Sequence, residues 1–84
     1  MNQVRLYSTL ICPYCIRAKL LLRERGIAYD DIDVTANREM RAWLVKTTRW
    51  PTVPVIFIGD QLIGGFYELR ALDRSGELDR GLAA

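Results

Sequence analysis

Ile11-Cys12-Pro13-Tyr14-Cys15 holds the only two cysteines of this 84-residue chain, three residues apart. On a helix, residues at that spacing share a face about one turn apart, which suits the Cα separation of roughly 4.4–6.8 Å that a disulfide requires. The two thiols can therefore join and part without moving the backbone. Pro13 marks the helix start, because the first helical position has a backbone N–H without an intrahelical partner and proline has no N–H to lose. Cys12 then stands at the helix entrance, where unpaired N–H groups and the helix dipole stabilise a thiolate. Cys15 lies one turn deeper, where that help has faded and burial favours the neutral thiol. Cys12 is thus expected to attack and Cys15 to resolve the mixed disulfide that follows. The chain has no histidine, so activation must come from the helix terminus and nearby cations.

Working outward, Val4-Arg5-Leu6-Tyr7 alternates and is rich in strand formers, so a first strand ends near Ser8. Tyr14 to Arg25 carries a helical pattern with Ala18, Leu21 and Leu22 facing inward, and Gly26 closes it. Tyr29 to Val34 is a half-buried second strand. Thr35 or Asn37 caps a second helix that runs to about Thr47 and buries Met40, Leu44 and Trp43. Trp50-Pro51-Thr52-Val53-Pro54 is a shaped loop, since two prolines three apart exclude helix. Val55-Ile56-Phe57-Ile58, the most apolar run, belongs at the centre of a sheet. Gly59-Asp60 turns it into Gln61-Leu62-Ile63 as a hairpin. Gly64-Gly65 ends that strand, and Phe66 to Arg74 forms a third helix through Leu69 and Leu72, stopped by Gly76. The tail from 77 to 84 adds a short turn packed through Leu78 and Leu82.

The order β-α-β-α-β-β-α over one domain, residues 1–84, predicts an α/β fold: a four-stranded mixed sheet with helices on its faces. A Cys-x-x-Cys beside a βαβ pattern points to a thioredoxin-like redox site.

Composition narrows the function classes. Leu, Ile, Val and Phe supply 25 of the 84 residues, enough for one core. Twelve basic against ten acidic residues leave +2, and the basic residues are dispersed rather than gathered into the stripe that nucleic acid requires. Apolar runs such as Val53 to Ile58 are far short of a membrane span. The first twelve residues lack the continuous apolar region of a signal peptide. The expected setting is cytoplasmic, where paired cysteines are more often catalytic than structural. No metal site is expected within one subunit, because zinc takes about four ligands and only two thiols and no imidazole are on offer.

Three further features bear on a substrate groove. Val53-Pro54, directly before the central strand, is placed for a cis peptide bond, leaving the Val53 backbone free to pair with an extended peptide. Gly64-Gly65 is either a plain strand ending or a small-residue step that lets a ligand carboxylate reach the N–H groups of Phe66 and Tyr67. Tyr14 is either an ordinary helix residue or an aromatic wall beside the thiols.

Cys12-Pro13-Tyr14-Cys15, Thr52-Val53-Pro54 and Gly64-Gly65 before a final helix together resemble the glutaredoxins, over nearly the whole chain. The resemblance implies a thioredoxin-like fold and glutathione-dependent reduction of protein disulfides and glutathionylated proteins. Glutathione would be a co-substrate, with no tightly bound cofactor, and the chain would act as a monomer. It implies that Cys12 carries the glutathione mixed disulfide, while Tyr14, Thr52, Val53, Pro54, Gly65, Phe66 and Tyr67 line the glutathione groove. Thr9 stands where the family usually places a lysine. Arg49 is the cation expected to compensate, with Arg17 and Lys19 as further contributors. Where the family commonly carries an aspartate after the glycine pair, this chain has Phe66-Tyr67-Glu68, with Glu68 as the candidate substitute. Two alternatives share the motif: a redoxin fed by thioredoxin reductase that supplies a reductase such as ribonucleotide reductase, and a dimer holding a [2Fe–2S] cluster through Cys12 and glutathione. Trp50-Pro51, which resembles the monothiol branch, raises the second.

Overall fold

The computed structural model describes residues 3–79. Its elements run β1 (Val4–Ser8), α1 (Pro13–Glu24), β2 (Tyr29–Asp33), α2 (Arg38–Thr48), β3 (Val55–Ile58), β4 (Gln61–Gly64) and α3 (Phe66–Ser75). The strands form one sheet in the order β2-β1-β3-β4. β1 pairs in parallel with β2, Val4 opposite Tyr29 and Ser8 opposite Asp33. It pairs antiparallel with β3, Val4 opposite Ile58 and Tyr7 opposite Val55. The two apolar strands are therefore central, and the acid-rich β2 and the short β4 take the edges.

Strand alternation divides the core in two. Val4 and Leu6 of β1 and Ile56 and Ile58 of β3 point to one face, where Ala18 and Leu22 of α1 and Leu69 of α3 cover them. Tyr7, Val55 and Phe57 point to the other face, against Val34 and Leu44. Leu6, Leu22, Ile56 and Leu69 are fully buried, each contributing about 1.5–3 kcal/mol of transfer free energy. Leu78, beyond α3, is buried in the first cluster as expected; Leu82 lies outside the described residues.

The helix ends follow the local chemistry. Cys12 caps α1, with Pro13 in its first turn. Asn37, not Thr35, caps α2, its Oδ1 accepting the Met40 N–H at 2.9 Å. Thr35 instead accepts the Leu10 N–H at 2.8 Å. α3 ends on Gly76, whose φ of 80° is left-handed. The Val53–Pro54 bond is cis.

One core assignment is corrected. Trp43 is 45% exposed, resting on Tyr7 with ring centroids 6.3 Å apart. Met40 and Leu44, four residues apart, set the inward line of α2, and position 43 is rotated about 100° from position 44.

Candidate active site

The site is assembled where α1, the loop before β3 and the start of α3 meet at one end of the sheet. Cys12 has extended backbone angles, and its Sγ accepts the N–H of Cys15 at 3.2 Å. Its carbonyl accepts the N–H of Ile16 at 3.1 Å. The sulfur thus occupies the capping position usually taken by a serine or aspartate oxygen, where a helix terminus favours negative charge. As a thiol, Cys12 also donates to the Val53 carbonyl at 3.6 Å. The Val53 backbone is therefore only half as free as the sequence suggests: its carbonyl holds the Cys12 proton, while its N–H has no partner among the described residues.

Cys12 and Cys15 are free thiols in this structure, and both are buried. Cys12 is 7% exposed and Cys15 1%. Burial, with the Cys12 sulfur beside it, pushes the Cys15 thiol up to about 12, against smaller opposing effects from the Thr9 backbone and the Lys19 charge. Cys15 therefore stays protonated at neutral pH, and attack on an incoming disulfide falls to Cys12. Lys19 is held by Asp31 at 2.7 Å. Asp31 in turn accepts the buried Ser8 hydroxyl at 2.7 Å. This pairing holds the Lys19 ammonium above its ordinary range, so the charge one turn below Cys15 persists at neutral pH.

A groove of about 310 Å³ adjoins Cys12 through Val53, the residue whose carbonyl accepts from the thiol. Thr52, Val53 and Pro54 form one side, and Tyr14, Gly65, Phe66 and Tyr67 form the other. Seven of the residues expected from the sequence thus meet in one surface. Arg49 does not join them: it is exposed and closes α2 in a left-handed conformation, φ 60°. Thr9, at the expected lysine position, brings no side-chain charge. Arg17 lies over the Tyr14 ring, 5.5 Å from its centroid, and Lys19 is committed to Asp31.

Glu68 lines the groove and accepts the Gly65 N–H at 3.0 Å, so its carboxylate is anchored on the N-terminus of α3. The N–H groups of Phe66 and Tyr67 sit in the first turn, where no intrahelical acceptor exists.

Trp50 is the groove residue that sequence reasoning did not place. Its indole lies over the glycine pair: a β-carbon on Gly64 would stand 3.0 Å from Trp50 Cη2 and 3.0 Å from Glu68 Cγ, and one on Gly65 3.3 Å from Trp50 Nε1. The pair of adjacent glycines is the only sequence sign that a bulky neighbour lies against them. Gly64 also has φ 119°, a conformation costly for other residues. Gly64→Ala is expected to destabilise the fold by about 2 kcal/mol or more, lowering Tm by roughly 8–16 °C in a thermal melt. An unchanged Tm would mean that the indole moves aside freely.

The comparisons with known proteins agree with this geometry. The glutaredoxin family model matches residues 4–63. The chain is 44% identical to a glutaredoxin of Pseudomonas aeruginosa over the full length of both, 84 residues. It is 42% identical to glutaredoxin 3 of Escherichia coli K12 over 79 residues, covering 94% of this chain and 95% of that one. Among solved structures, a buckwheat glutaredoxin–glutathione complex superposes with a TM-score of 0.91 at 32% identity, covering 98% of this chain and 77% of that one. Glutaredoxin from Brucella melitensis superposes with a TM-score of 0.86 at 41% identity, covering 95% of this chain and 87% of that one. With its capped Cys12, buried Cys15 and thioredoxin-like sheet, the chain belongs to the glutaredoxin family of thiol–disulfide oxidoreductases.

Proposed function

We propose that this protein reduces glutathione mixed disulfides and protein disulfides in the cytoplasm, as a monomer, with glutathione as the reductant. The observation that carries the reading is the Cys12 sulfur on the N-terminus of α1, beside a groove with an open main-chain donor at Val53 and open N–H groups at Phe66 and Tyr67. Glutathione in extended form pairs its cysteinyl backbone with Val53 and sets a carboxylate on the α3 terminus. The buckwheat relative, solved with glutathione, supports a groove of this kind.

The chemistry is thiol–disulfide exchange. The Cys12 thiolate attacks the glutathionyl sulfur of a mixed disulfide, the S–S bond breaks, and the substrate leaves as a thiolate that takes a proton from solvent. A second glutathione, as thiolate, attacks the glutathionyl sulfur on Cys12. Oxidised glutathione leaves and the Cys12 thiolate is restored. For a protein disulfide, Cys15 instead attacks the Cys12 sulfur, expelling the second substrate thiolate and leaving a Cys12–Cys15 disulfide. Two glutathiones then reduce it.

The test is a coupled assay with glutathione, glutathione reductase and NADPH on a small glutathionylated thiol. Protein-dependent NADPH oxidation is the expected result. Turnover that appears only when thioredoxin reductase replaces the glutathione system would overturn the reading.

A further inference from the structure

We propose that Arg17 and Arg70, laid on the aromatic wall of the groove, recognise acidic residues flanking the glutathionylated cysteine of a protein substrate; this rests on the proposed function and specifies its substrate class. Tyr14 from the first turn of α1 meets Phe66 and Tyr67 from the first turn of α3, with ring centroids 6.5 and 5.7 Å away and 5.4 Å between the last two. These three rings form one continuous apolar surface at the groove mouth.

Each end of that surface carries a guanidinium. Arg17, three residues beyond Tyr14, lies 5.5 Å from its ring centroid. Arg70 lies 5.1 Å from the Tyr67 centroid and 5.7 Å from that of Phe66. Neither arginine lines the groove, and neither has a carboxylate partner among the described residues. On α1, Lys19 is paired with Asp31 and the capping Arg25 with Asp73, so those two charges are engaged within the fold, whereas Arg17 and Arg70 rest on aromatic faces.

Stacking against a ring uses the face of the guanidinium and leaves its N–H edge for a carboxylate, which it binds in bidentate fashion. It also restricts a flexible side chain beforehand, so less entropy is lost when an anion arrives. Two such groups on the aromatic wall give that side of the groove mouth a fixed positive charge beside the path to Cys12. The single carboxylate lining the groove, Glu68, is bonded to the Gly65 N–H and forms no ion pair with either arginine. Ile11, which precedes Cys12 in the chain, is 93% exposed and offers an apolar side chain to a docking segment. The matching partner is a protein segment with aspartate or glutamate beside the modified cysteine. Exchange then proceeds as above, with the segment leaving as its thiolate and the glutathionyl group passing to Cys12.

The experiment uses two glutathionylated peptides of equal length, one with glutamates and one with lysines beside the cysteine, alongside glutathionylated 2-mercaptoethanol as a small neutral-leaving-group control. The expected kcat/KM for the glutamate peptide exceeds that for the lysine peptide by roughly tenfold at low ionic strength, and the ratio falls toward unity with added salt. Arg17→Gln/Arg70→Gln is expected to erase the preference while keeping turnover of the small control within about twofold. Arg17→Glu/Arg70→Glu should reverse it, a gain that unfolding could not mimic. Equal rates for the two peptides would overturn the proposal. So would a rise in KM for the small control as large as that for the glutamate peptide, which would assign the arginines to glutathione itself. Failure of the wild type to turn over the small control would instead count against the proposed function.

Discussion

Cys12→Ser is expected to lower reduction of glutathionylated substrates to the uncatalysed rate, a loss on the order of 10³-fold or more. A serine oxygen in the capping position keeps the hydrogen bond from the Cys15 N–H but cannot form the S–S bond on which every later step depends. Cys15→Ser is expected to behave differently. The group that Cys15 gives to the Cys12 sulfur is its backbone N–H, at 3.2 Å, which serine retains. The glutathione branch never needs a second protein thiol, so the variant should keep turnover of a small mixed disulfide within about threefold. Reduction of a protein disulfide should collapse, because the Cys12–substrate intermediate then has no neighbour to resolve it. The two substrates measured side by side decide the matter. Parallel losses in both variants would contradict the division of labour drawn from the geometry.

That division was legible in the sequence because helix entrances obey local rules. Pro13 can stand at only a few places in a helix, and once it is put in the first turn the roles of positions 12 and 15 follow. The central place of Val55 to Ile58 was legible for a similar reason: the run is apolar on both faces. What escaped was set by contacts distant in sequence. Trp50 lies over Gly64 and Gly65, and nothing within the loop itself says which surface the indole will cover. Trp43 looked like core because it is large and apolar, but its angle on α2 follows from the Met40–Leu44 line. Arg49 looked like a candidate for the missing lysine charge, and the left-handed turn that ends α2 leaves it off the groove. The family resemblance predicts which segments would surround glutathione, but it does not predict the arginines on Tyr14 and Tyr67, because those pairings are made by Arg17 and Arg70 of this chain.

The second large effect is on pH. With Cys15 pushed up to about 12, chiefly by burial, its thiolate is scarce at pH 7. Binding glutathione to Cys12 removes the neighbouring thiol but leaves the burial, so ionisation of Cys15 continues to limit the intramolecular step. Release of glutathione from protein charged on Cys12, with no free thiol added, should therefore speed up about tenfold per pH unit from roughly pH 6 toward 10. Cys15→Ser should show no release. Lys19 is the cation that favours the Cys15 thiolate, while Asp31 holds it in place. Lys19→Gln removes a positive charge and leaves the Asp31 carboxylate unpaired, and both changes disfavour a second negative charge. Release should slow by roughly threefold to tenfold, with the glutathione branch unaffected. A pH-independent release rate would show that Cys15 is already ionised in the charged intermediate. The same shift acts on stability with a defined sign. The thiol is raised above its ordinary value of 9.0, so the unfolded chain loses that proton first; stability is intact below about pH 9 and falls as pH climbs toward 12. Denaturation midpoints of the reduced protein and of Cys15→Ala should therefore converge as pH rises above about 9. On the proposed mechanism, the scarcity of Cys15 thiolate at neutral pH leaves small glutathionylated substrates to Cys12 and dissolved glutathione, with Cys15 engaged where a bulky protein disulfide keeps glutathione out.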